Sequence, residues 1–108
     1  MSSTTVTSST PRVLVIVTYE VGEEDRAAFE RIAGAHAAGG DTYPGCLRFS
    51  LGHDVVDPGR YELVELWQSQ ADLDAHSGSA TFSRTRAALG ECRTLQARPD
   101  RYEIVSPS

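Results

Sequence analysis

The segment Arg12 to Glu20, RVLVIVTYE, sets the tightest limit on how this chain can fold, because it is β-branched and apolar on both faces. Side chains alternate along a strand, so Val13, Val15 and Val17 point one way while Leu14 and Ile16 point the other. Such a strand belongs in the middle of a sheet that is covered on both sides. Arg60 to Gln68 repeats the pattern, with Leu63 set against Val64 and Leu66. All four expected strands carry apolar residues on both faces, and the chain has helices for only one of them. The economical cover for the second face is a second copy of the sheet, which predicts a homodimer.

The remaining elements follow from local signals. Gly22 ends the first strand, and Glu23, Glu24 and Asp25 suit the positive N-terminal end of a helix that continues to about Ala38 and stops at Gly39-Gly40. Phe29, Ile32, Ala33 and His36 share one face of that helix. Strands are predicted over Cys46 to Asp54 and Arg60 to Gln68, then helices over Gln70 to His76 and Ser79 to Leu89. The last strand material, Glu91 to Gln96 and Arg101 to Val105, is interrupted by Pro99, which cannot donate to a central ladder. The order βαββαβ is the α+β, ferredoxin-like arrangement of a four-stranded antiparallel sheet with helices on one face. Residues 12–105 form one domain, the Ser/Thr-rich residues 1–11 are expected to be disordered, and 106–108 are a short tail.

Composition removes several functions. A net charge of −5 without a basic cluster argues against a nucleic-acid surface. Every basic residue is arginine, and the absence of lysine rules out a Schiff base on this chain. Cys46 and Cys92 read as reduced thiols. Residues 1–11 have neither the charged nor the apolar region of a secretion signal, and no segment reaches the length of a membrane span. A cytoplasmic protein is expected.

The stretch from Tyr43 to Phe82, YPGCLRFSLGHDVVDPGRYELVELWQSQADLDAHSGSATF, carries the only tryptophan and two of the three histidines. Its order of turn, strand, hairpin, Glu65-Leu66-Trp67 and then Ala71-Asp72-Leu73 with His76 resembles the antibiotic biosynthesis monooxygenase domain family. The resemblance extends over residues 12–105 and implies a dimeric α+β barrel. It also implies a cofactor-independent oxygenase that converts quinols or anthrones to quinones, with Trp67 lining the substrate cavity. Two positions depart from the pattern. Leu63 stands where anthrone-oxidising members commonly carry asparagine, and Thr81 stands where a second histidine often precedes the helix phenylalanine.

Several residues carry candidate chemistry. His36 and His76 are each the candidate base, since imidazole titrates near neutral pH. Arg86 sits with Phe82, Thr85 and Leu89 on the inward face of the last helix. It either neutralises Glu65, holds a substrate anion, or reaches past the helix to solvent. Glu65 and Trp67 share one strand face with Tyr61 and Leu63. Glu65 is a structural carboxylate or a pocket residue, and Trp67 a core plug or a stacking wall. Glu65, Trp67, Phe82 and Leu63 are the expected substrate contacts. His53 ranks behind the other histidines.

No HxH, HxxxH or HExxH spacing, GxGxxG, P-loop or CxxCH occurs, so no cofactor or metal is expected. The leading reading is an oxygenase acting on an aromatic polyketide. The alternative is a ligand-binding protein, cyclase or isomerase of the same fold.

Overall fold

The computed structural model describes residues 10–105. Most of the expected disordered N-terminal segment, and the tail 106–108, lie outside the described residues. The elements are β1 (Arg12–Val21), α1 (Arg26–Ala38), β2 (Cys46–His53), β3 (Arg60–Trp67), α2 (Gln70–Ser77), α3 (Ala80–Leu89) and β4 (Leu95–Ile104). One turn of 3₁₀ helix precedes α1, at Glu23–Asp25, and another follows it, at Gly40–Thr42. The sheet order is β2-β3-β1-β4 and every pairing is antiparallel. The fold is ferredoxin-like α+β.

The register assigns the two faces. Val13, Val15, Val17 and Tyr19 of β1 stand beside Trp67, Glu65, Leu63 and Tyr61 of β3 under the helices. Leu14, Ile16, Val64 and Leu66 lie on the opposite face, joined by Tyr102 and Ile104 of β4, which are 50% and 40% exposed. Two-sided apolar character therefore holds for the central strands. It fails on β2, which presents Arg48, Ser50 and Gly52 to the bare face, and holds on β4 only at the Tyr102 and Ile104 end, since Gln96, Arg98 and Asp100 share that face.

The last strand also differs from expectation. β4 runs unbroken through Pro99, opposite Val17, because it is an edge strand and a missing amide on the free side costs no ladder bond.

Two local devices set up the helical layer. Tyr43-Pro44-Gly45-Cys46 is a turn closed by Cys46 N–H donating to the Tyr43 carbonyl at 3.1 Å. Pro44 fits the second position, and Gly45 takes a left-handed φ of +76° that a type II turn requires of its third. A side chain at Gly45 would also strike Asp72. Ser69 and Ser79 cap α2 and α3, accepting from the amides of Asp72 and Phe82. The Ser79 hydroxyl donates in turn to the His76 carbonyl at 2.6 Å, which locks the end of α2 to the start of α3.

Candidate active site

The buried apolar core lies under α1, where Phe29 sits between Tyr19 and Tyr61 at ring distances of 4.9 and 4.7 Å. Beside it, under α3, the layers part. A cavity of about 810 Å³ opens between α3, the ends of α1 and α2, and strands β1 and β4. That volume falls in the range of small-molecule sites. Its walls are mostly apolar, including Val15, Val17, Leu73, Leu89 and Pro99. No α3 residue is buried, since the inward face of that helix looks into the cavity.

Four of the expected polar residues meet on this surface: His36, Glu65, His76 and Arg86. Leu63 and Phe82 line it too. His36 (α1) and His76 (α2) are 40 residues apart in sequence, yet their Nε2 atoms are 3.2 Å apart. Both rings are buried. Burial, then the neighbouring His76, pushes the His36 pKa down to about 4, and burial lowers that of His76 as well. Both imidazoles are therefore neutral near pH 7. On its other side, His36 Nδ1 meets the Thr85 hydroxyl at 3.0 Å and the Tyr43 hydroxyl at 3.3 Å.

Trp67 requires a correction. It is completely buried at the end of β3 and does not line the cavity, so it has no free face on which a ligand could stack. Phe49 packs edge-on against the indole at 6.2 Å and the His76 ring lies 4.9 Å away. Its N–H donates to Glu65 Oε1 at 2.9 Å. Trp67 thus supports the cavity wall from behind by holding Glu65 and backing His76.

Glu65 is not neutralised by Arg86. Among the described residues Arg86 forms no ion pair, and the indole is the hydrogen-bond partner of the carboxylate. Burial raises the Glu65 pKa, and the Trp67 bond offsets part of that rise. His53 is remote from this group. It stacks flat on Tyr61 at 4.4 Å, and its Nε2–H donates to the Pro58 carbonyl.

Residues overlooked in the sequence complete the site. Tyr43 returns to His36 because the Gly39-Gly40 turn reverses the chain, an effect outside any helical period. Arg101 lines the cavity from β4, where its guanidinium donates to Gln70 and Glu103. Its inward phase became readable only once β4 proved continuous through Pro99. Cys92 also lines the cavity, and both cysteines are free thiols. No group of three or more metal-ligating side chains occurs among the described residues, and no helix there is long and apolar enough to cross a membrane.

Sheet, helices and enclosed polar cluster define a small ferredoxin-like protein with a ligand-sized apolar cavity. The family profile "antibiotic biosynthesis monooxygenase" matches residues 12–88, most of the chain, and the protein belongs to that family. Solved structures agree in fold. A candidate antibiotic biosynthesis monooxygenase from Caulobacter crescentus superposes with a TM-score of 0.82 at 26% identity, over 91% of this chain and 93% of that one. Another candidate from Deinococcus radiodurans gives 0.82 at 19% identity, over 89% and 95%. A third from Nitrosomonas europaea gives 0.81 at 20% identity, over 95% and 99%. No functionally curated protein matches.

Proposed function

We propose that this protein is a cofactor-independent monooxygenase that oxidises an electron-rich phenol, of the quinol or anthrone type, with O₂. The observation that carries the reading is the convergence of a neutral histidine pair, a buried carboxylate and an arginine on one apolar cavity. Such a substrate supplies all four electrons that reduce O₂, so no outside reductant is needed. A base removes its proton, and the resulting anion passes one electron to O₂. Recombination gives a hydroperoxide, and loss of water leaves a carbonyl. The balance is R₂CH₂ + O₂ → R₂C=O + H₂O. The protein's part is to accept the proton, hold the anion beside Arg86 and keep bulk water away.

Oxygen uptake on adding a quinol or anthrone, retained after dialysis against EDTA, is the expected result. No uptake with either substrate class would favour the ligand-binding or isomerase alternative. Uptake that disappears with EDTA and returns with metal would refute the cofactor-free chemistry.

We further infer that the working unit is a homodimer joined through the bare face of Leu14, Ile16, Val64 and Leu66. Obligate interfaces of that kind bury on the order of 2,000 Å² or more. Light scattering should give about twice the chain mass of 11.7 kDa. A value at the chain mass itself would overturn the dimer.

A further inference from the structure

We propose that His76 is the base of this site, and that His36, Tyr43 and Thr85 are positioning residues that fix the tautomer of its ring. The role of base rests on the oxygenase reading above. The tautomers rest on hydrogen-bond geometry alone.

The Tyr43 hydroxyl has one hydrogen, and it is donated to the His36 carbonyl at 2.6 Å. Towards His36 Nδ1, 3.3 Å away, the same oxygen can only accept. A proton on Nδ1 meets a lone pair of that oxygen, and the Thr85 hydroxyl at 3.0 Å then accepts as well. A bare Nδ1 could take the Thr85 hydrogen but would set its lone pair against that of Tyr43, so the proton is assigned to Nδ1. A neutral imidazole has one N–H, so His36 Nε2 holds a bare lone pair. The 3.2 Å contact between the two Nε2 atoms is then attractive only if His76 Nε2 carries a proton. By the same count His76 Nδ1 is left with a lone pair, and it has no hydrogen-bond partner among the described residues.

The order Thr85/Tyr43, His36, His76 repeats the logic of a base oriented by a third group. When the substrate O–H or C–H bond breaks, its proton forms a new N–H bond at His76 Nδ1, and the substrate keeps the electron pair. The imidazolium that results points Nε2–H at the His36 lone pair, which steadies the charge. His76 also lines a second, smaller pocket of about 290 Å³ with Thr42, Tyr43, Ser79 and Thr81. The proton returns from Nδ1 to the peroxide oxygen when the hydroperoxide forms, so the base ends each turnover neutral.

Long-range ¹⁵N–¹H NMR on the full chain near pH 7.5 tests the assignment without turnover. The expected pattern is Nδ1–H on His36 and Nε2–H on His76, and the reverse pattern on either ring overturns the proposal. Thr85→Val and Tyr43→Phe should mix the His36 tautomers, and Thr85→Ser should restore the original one. In steady state His76→Gln should lower kcat by roughly 10²- to 10⁴-fold. Thr85→Val should cost less, again in kcat rather than KM. Unchanged turnover in His76→Gln removes it as base. If no phenol is oxidised by the unaltered protein, the oxygenase reading fails while the NMR pattern still decides the tautomers.

Discussion

Helices α1 and α3 cover the same sheet but fill the space beneath them differently. α1 lowers Phe29, Ala33 and His36 onto the strands, and Phe29 meets two tyrosine rings with no exposed surface left. α3 leans on α1 and α2 instead of on the strands, and none of its side chains is buried. Part of the reason lies in the sheet. Towards α1 it offers Tyr61 and Leu63, whereas β4 offers the short Ala97 and Pro99. The cavity is thus made by small residues under a raised helix, with no element missing from the fold. Buried apolar contact is concentrated in one half, and the other is left open.

That contrast can be broken from either side. The largest effect should come from Phe29→Ala, which empties the filled half. Truncating a fully buried phenylalanine costs roughly 3–5 kcal/mol, read as a lower urea midpoint. A loss below about 1 kcal/mol would show that the filled half is not where stability resides. Next, Arg86→Ala in the open half should leave the melting temperature within a degree or two. It should also lower turnover roughly 10²- to 10³-fold, by analogy with loss of an oxyanion donor. Unchanged turnover would remove Arg86 from the mechanism.

The third test probes the seam between the halves, where the histidine pair sits. His36 binds a proton less readily folded, with a pKa of about 4, than at its ordinary value of 6.5. Between those values the unfolded chain holds more protons, so stability falls as pH drops from 6.5 to 4 and levels off below. Solvent screening of this partly buried ring keeps the loss below the roughly 3 kcal/mol that the full shift would give. Glu65, whose pKa is raised, works in the opposite direction and offsets part of it. Urea titrations at pH 7 and pH 4.5 measure the slope, and His36→Gln should reduce it to the share left by His76, whose pKa is also lowered. An equal slope in that variant would assign the effect elsewhere.

How much of this was legible in the sequence depended on the range of the signal. The βαββαβ order and the inward phase of Phe29, Ala33 and His36 are local patterns, and they carried through. Phase gives the side of a residue but not its depth. Trp67 was therefore placed on the correct face and still misread as a cavity wall. The contact of His36 with His76 depends on where two helix ends meet, and no spacing within either helix encodes it. Pro99 misled because a proline breaks an inner strand and is harmless on an outer one, and strand order is a property of the whole sheet.

The placement of Pro99 also bears on solubility. An outermost strand offers a row of unpaired amides and carbonyls as a template for any other extended chain, which is how aggregates and fibrils begin. On β4 the proline removes one donor, and the Arg98–Asp100 ion pair at 3.7 Å brackets it with charge. A foreign strand docking there would find an incomplete ladder and would have to desolvate both charges. This margin is thereby guarded against sheet extension, even though the neighbouring face is apolar enough to invite association.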